Sequence, residues 1–510
     1  MKKIRYVIAS ILTVSVFVTG CSSTNSSQNK NADKNTNGKN ETVINSDTNG
    51  NTNGNTNGNT NDIQWNIGES SGEISGNETV TGIDSYVTTT NGVTTSMLNA
   101  AFWTNKCDIG NNILMNDADI VEYNKSNMTA NKYVFGDTVP KEELISLINE
   151  EDGPTGTTYV NGTAVSPEYY DDARNNRNIS AIVDTNPVSY GICVNRSEMK
   201  CLPADIRAYS NNIDYFRDLN VNSAILLGDP VKILHTSLDG KWYFIQTEYT
   251  AGWIAKENIA LCSDKSQWEE WQQGDFLLVT GDKFDLEEDY SDGSISKLEV
   301  SMGTKLALIG GSDYIKNGET RVVMNNYVVK IPARNSDGSI YAKYGFIPFS
   351  RDVCIGYMPY TRNNVIELAM KSIGDRYGWG GMYDSRDCSS LIMDIYRCFG
   401  IVLPRNSSEQ AVVQTNQNVS GMSGEEKISA IKNAGMGALL YFKGHIMIYL
   451  GESNGELYVI SAVGNLQENI GGNNTTINVN SVIINTLSTM RGQNSSWIND
   501  IERIVLVSRM

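Results

Sequence analysis

Two side chains bound the chemistry open to this chain: Cys388 and His445. Cys388 follows Asp387 and opens a run in which Leu391, Ile392 and Ile395 recur at helical spacing, so a helix is predicted over 389–399 with Asp387 as its N-cap. A cysteine at the start of a helix meets unpaired backbone N–H groups and the positive end of the helix dipole. Both favour the thiolate, the reactive form of the residue. The preceding Tyr377-Gly378-Trp379-Gly380-Gly381 is a glycine-rich loop suited to close approach by a substrate. A thiol nucleophile needs a base, and the chain has only two histidines, His235 and His445. His235 lies inside an apolar run and reads as a packing or hydrogen-bonding residue. His445 follows Lys443-Gly444 and begins the apolar run Ile446–Leu450, where a strand would hold it rigidly. Elimination leaves Cys388 with His445.

Positioning these two residues calls for an α+β domain after Tyr360. Val365–Ile373, Ser389–Phe399 and Glu425–Ala434 carry helical spacing, whereas Ala438–Phe442, Ile446–Leu450, Leu457–Ile460 and Ile501–Val507 read as strands. Upstream, from Val188 to Cys262, short apolar stretches alternate with turn residues. Asp239-Gly240 between two such stretches predicts a hairpin. The same texture continues to Phe349, so two small β-barrels are expected. Between Ser96 and Asn186 the signals are helical, the clearest being Pro140 at the first turn of Lys141–Asn149 with Leu144, Ile145 and Ile148 on one face. Ala101-Phe102-Trp103 and Ile113-Leu114-Met115 read as core.

At 510 residues the chain exceeds the roughly 100–200 residues of a single domain, and two to four are expected. A net charge of −17 argues against nucleic-acid binding, which needs a clustered positive field. Lys2, Lys3 and Arg5 before an apolar run, then Val18-Thr19-Gly20-Cys21, read as an export signal ending in a lipobox-like stretch. Cys21 is the expected lipidation site. The Asn/Thr/Gly-rich segment that follows is expected to be a flexible tether. The eight cysteines show no CxxC spacing, so neither a metal nor any other cofactor is expected. Cys193 and Cys201 read either as a hairpin disulfide or as two buried thiols.

Asp387-Cys388-Ser389, the Tyr-x-Trp-Gly-Gly loop, Leu403-Pro404-Arg405-Asn406-Ser407-Ser408 and Gly444-His445 at the head of a strand together resemble the NlpC/p60 cysteine peptidases of bacterial cell walls. Ser237-x-Asp239-Gly240-x-Trp242-Tyr243 with Gly252-Trp253 resembles the SH3-like domains that accompany them, and Phe102-Trp103 resembles the N-terminal segment of multidomain members. The resemblance implies a papain-like catalytic domain at 353–510, SH3-like barrels at 188–265 and 266–352, and a partly helical N-terminal segment at 63–187. A tether at 21–62 and a lipoprotein signal at 1–20 would come before these.

It further implies hydrolysis of the bond between D-γ-glutamate and a diamino acid in peptidoglycan stem peptides or muropeptides, by a protein anchored to the membrane through lipid. Asp387, Ser389 and Ser407 match positions that contact the peptide in relatives, Ser407 also being a possible helix cap. The Cys388 backbone N–H and the Tyr377 hydroxyl are oxyanion candidates. Ser461 stands where the family usually has a histidine to orient the catalytic imidazole. A hydroxyl is a shorter orienter, so a catalytically impaired wall-binding lipoprotein is the alternative reading, and acyl transfer or hydrolysis of another amide is a third. In some relatives the SH3-like domain narrows the cleft and selects a free L-alanine amine, which would require an acidic residue nearby.

Overall fold

The computed structural model describes residues 87–130, 136–211, 215–289, 292–316, 324–470, 472–492 and 495–508. The expected signal, the tether and Cys21 lie outside the described residues. Helix α1 (Ala100–Thr104) buries Trp103 to 1% exposure. The indole N–H donates to the Met97 carbonyl at 2.8 Å, and its ring centroid lies 5.3 Å from that of Tyr458. Val93, Met97, Trp103 and Met115 belong to the same core as Ile366, Leu391 and Ile448. The N-terminal segment is therefore part of the C-terminal domain's interior. Ile113, expected inside, is 57% exposed, because the turn before it brings Leu114 and Met115 inward instead.

Helix α2 (Lys141–Asn149) buries Leu144, Leu147 and Ile148. Pro140 is its N-cap, one position before the expected first turn, because Thr138–Pro140 is extended and pairs with Thr185–Pro187. Seven strands follow: β1 (Ser189–Cys193), β2 (Ser197–Lys200), β3 (Val221–Ile225), β4 (Pro230–Thr236), β5 (Trp242–Gln246), β6 (Ala251–Ala255) and β7 (Ile259–Leu261). They form an antiparallel sheet in the order β7-β1-β4-β5-β6-β2-β3. The Asp239-Gly240 turn joins β4 to β5, with Gly240 at φ 72° as such a turn requires. Trp253 is fully buried, and His235 is fixed by the Asn178 carbonyl at 3.1 Å, a structural role.

A second antiparallel sheet contains β8 (Phe276–Val279), β9 (Lys305–Ile309), β10 (Asn326–Arg334), β11 (Ile340–Pro348) and β12 (Val353–Ile355), in the order β11-β10-β9-β8-β12.

The last part of the chain places helices α3 (Arg362–Lys371), α4 (Cys388–Arg397) and α5 (Gly424–Ala434) with a six-stranded antiparallel sheet. Its strands are β13 (Asn416–Asn418), β14 (Leu439–Phe442), β15 (His445–Ser453), β16 (Glu456–Ile470), β17 (Asn473–Thr486) and β18 (Arg503–Val505), ordered β13-β18-β14-β15-β16-β17. Leu391, Ile392 and Ile395 turn one face of α4 into the core shared with Ile446 and Ile448 of β15. The expected short strand over 457–460 is in fact the start of a long hairpin. Its second arm, Asn473–Thr486, escaped the sequence reading because its asparagines and threonines resemble a loop, while backbone pairing with β16 needs no apolar pattern. All seven described cysteines are free thiols, Cys193 and Cys201 among them.

Candidate active site

Asp387 closes a capping box at the start of α4: its carboxylate accepts the Ser390 N–H at 2.9 Å, and the Ser390 hydroxyl accepts the Asp387 N–H at 2.9 Å. This fixes Cys388 as the first residue of the helix. Across the sheet, β14 and β15 pair Phe442 with His445. Cys388, His445, Tyr377 and Ser407 line one cleft of about 910 Å³, together with Glu151, Trp379, Arg405, Arg491 and Trp497. The Cys388 thiol is close to the Ile446 N–H, the residue after His445, so the first turn of α4 meets the first residues of β15. His445 Nε2 lies 3.0 Å from the Ser461 hydroxyl, and Ser461 is 1% exposed. Serine therefore reaches the ring nitrogen, which leaves Nδ1 for the thiol.

The electrostatics differ from the expectation for a helix N-terminus. Burial, and then the Asp387 charge, push the Cys388 thiol up to about 12, against the opposing pull of the Ile446 N–H and Arg405. Burial and the Arg491 charge lower His445 to about 4. Burial thus favours the neutral thiol and the neutral imidazole, because desolvation outweighs the helix end. Tyr377 is likewise kept protonated, by burial and then by the Asp387 charge.

Asp387 and Ser389 are engaged inside the protein. Arg405 donates to Asp387 Oδ2 at 2.6 Å, to the Ser389 hydroxyl at 2.9 Å and to the Ser223 hydroxyl of β3 at 2.8 Å. Burial pushes the Asp387 carboxyl up, yet Arg405 and the Ser390 and Gly380 N–H groups hold it below the usual carboxylate range. Sequence reasoning assigned Arg405 no role, since one arginine after Leu403-Pro404 gives no local signal of a partner eighteen residues back. The short helix Ser407–Gln410 is capped by Asn406 with Glu409, so Ser407 is not the cap and its side chain belongs to the cleft wall. The glycines of the Tyr-x-Trp-Gly-Gly loop serve a neighbour other than the substrate. At φ 63° and 95°, a Cβ on Gly380 or Gly381 would come within 2.7 Å of Val221 or 2.5 Å of Ala224, both on β3.

Residues 374–500, which hold Tyr377, Asp387, Cys388, Arg405, Ser407, His445 and Ser461, match the model of the NlpC/P60 family. The chain carries an NlpC/P60 domain. Residues 207–255 match the SH3 domain model of SH3b1 type, so an SH3b domain precedes the NlpC/P60 domain in the expected order. A dipeptidyl-peptidase 6 from Lysinibacillus sphaericus is 24% identical over 249 residues, covering 48% of this chain and 82% of that protein. An NlpC/P60 endopeptidase from Photobacterium damselae subsp. piscicida superposes with a TM-score of 0.64 at 20% identity, over 80% of this chain and 96% of that one. An NlpC/P60 family protein from Bacillus cereus gives a TM-score of 0.43 at 17% identity, over 62% and 99%. By its two family-model matches and the Photobacterium structure, the chain is similar in domain content and fold to NlpC/P60 proteins.

Proposed function

We propose that the protein is a cysteine endopeptidase that hydrolyses the D-γ-glutamyl–diamino acid bond of peptidoglycan stem peptides. The observation that carries this reading is the shared cleft of Cys388 and His445, with the imidazole held through Nε2 by Ser461. Cys388 Sγ bonds to the amide carbon as its proton passes to His445 Nδ1. The oxyanion takes hydrogen bonds from the Cys388 N–H and the Tyr377 hydroxyl. The C–N bond then breaks, and His445 gives the proton to the leaving amine. Water, deprotonated by His445, attacks the thioester to release the acid and restore the thiol.

Glu151 is the acid that binds a free L-alanine amine. It follows α2 and lines the cleft at the Arg405 end, accepting the Cys201 thiol at 3.6 Å. Burial raises its pKa, so an incoming ammonium would find a carboxylate with its solvation already removed. Export and acylation of Cys21 would keep the enzyme at the membrane, facing the wall; acyl-chain labelling lost in Cys21→Ala tests this.

The decisive assay incubates the soluble chain from Asp62 onward with L-alanyl-D-γ-glutamyl-diamino acid peptides, with the alanine amine free or acetylated. Cleavage after D-γ-glutamate is expected, absent in Cys388→Ala, with the free amine preferred and that preference lost in Glu151→Gln. The alternative, motivated by Ser461 in place of the usual orienting histidine, is a wall-binding protein with an impaired site. Binding retained without cleavage would establish that alternative and sink the peptidase.

A further inference from the structure

At the His445 end of the cleft stands a cation that the reaction as drawn does not use. Arg491 lies on a short ribbon in which Met490–Arg491 pairs with Ser495–Ser496. Its guanidinium sits 4.3 Å from the Phe442 ring centroid, donates to the Lys443 carbonyl at 2.8 Å and reaches Asp500 at 3.3 Å. Asp500 is itself held by the Ser495 hydroxyl at 2.5 Å. A guanidinium has five N–H donors, and these contacts occupy two of them on a side chain that is 40% exposed and lines the cleft.

The side of the cleft follows from the proposed chemistry. His445 must protonate the leaving amine, so the leaving half of the substrate passes over His445 and its neighbours. Those neighbours are Trp497, at 5.3 Å between ring centroids, then Phe442 and Arg491. Although Asp500 partly offsets it, the Arg491 charge opposes the imidazolium that must form during attack. An anion on the leaving half would neutralise it at the moment the charge develops, and so assist the transition state more than the ground state.

We propose that Arg491 binds a free carboxylate carried by the leaving diamino acid and makes the enzyme selective for substrates that have one. The inference rests on the peptidase reading above. Two sources supply that carboxylate: the α-carboxylate of a peptide ending at the diamino acid, or the second carboxylate of a diaminopimelate residue.

The test uses the full chain and three L-alanyl-D-γ-glutamyl peptides: lysine α-amide with no such carboxylate, free-acid lysine with the α-carboxylate, and diaminopimelate α-amide with the side-chain one. At least one carboxylate-bearing peptide is expected to have a kcat/KM roughly tenfold to a hundredfold above lysine α-amide, the worth of a charge-assisted hydrogen bond. Whichever peptide is preferred identifies the source. In Arg491→Gln that ratio is expected to fall to about one, and in Arg491→Lys to lie between, with circular dichroism confirming folded protein. Wild-type rates within twofold of one another, or a ratio unchanged in Arg491→Gln, overturn the proposal even if all three peptides are cut. Failure to cut any of the three overturns the peptidase reading and this proposal with it.

Discussion

The His445 imidazole is held by one hydroxyl and surrounded by groups that resist its protonation. Its pKa is lowered to about 4 by burial and then by Arg491, whereas an unfolded histidine titrates near 6.5. The sign follows directly: as pH falls below about 6.5 the unfolded chain takes up the proton first, so this group makes the fold progressively less stable down to about 4. With only two histidines in the chain, an NMR titration resolves both. The His445 ring signal is expected to stay unchanged from pH 8 to pH 5, and a midpoint near 6.5 would contradict the burial argument. Cys388 shifts the other way, so alkylation of Cys388, followed on its own peptide, is expected to keep rising above pH 9. A plateau by pH 7 would indicate a preformed thiolate. Asp387 and Arg405 are both buried, at 6% and 4% exposure. Asp387→Asn leaves Arg405 without its counter-charge and is expected to cost about 3–5 kcal/mol in denaturant unfolding.

At the scale of elements, the loop before α4 is shaped by the SH3b domain. Gly380 and Gly381 have positive φ and lie against β3, with the Trp379 N–H donating to the Phe216 carbonyl at 3.2 Å. Gly381→Ala meets both the left-handed backbone and the Ala224 methyl, and it is expected to lower the melting temperature and the activity together. Unchanged melting would mean the two domains yield to each other at this contact. The same loop is bonded to the long β16–β17 hairpin, the Tyr377 N–H donating to the Asn480 carbonyl at 2.9 Å, and Asn465, Gln467, Thr476 and Asn478 of that hairpin line the cleft. Sequence periodicity located β16 through its apolar first half and lost the polar remainder.

At the scale of the whole molecule, α4 and the segment before it are pinned by ion pairs from both upstream sheets. Arg397 pairs with Asp229, between β3 and β4, and Arg386 donates to Asp282, after β8, at 2.7 Å while bonding Asp394 of α4 at 2.8 Å. The N-terminal segment fills the core of the C-terminal domain with Trp103 and Met97. The chain from residue 353 onward, expressed alone, is therefore expected to show no cooperative thermal transition, because it would expose the surface those residues cover. A cooperative melt of that fragment would show that the core closes without its N-terminal part.

What the sequence determined by itself was local or compositional: the capped helix that begins with Cys388, the strand that begins with His445, the Asp239-Gly240 hairpin, and the elimination that paired thiol with imidazole. Each follows from periodicity, capping or a count of residues, none of which requires knowing what lies across the fold. The tertiary structure decided the rest, because it depends on distance through space. It brought Ser461 within 3.0 Å of His445, joined Arg405 to Asp387, set Glu151 and Arg491 in the cleft with the thiol, and turned the two loop glycines toward a barrel strand. It also set burial against the helix end at Cys388, since a helix end acts along a few residues while desolvation depends on everything packed around the sulfur.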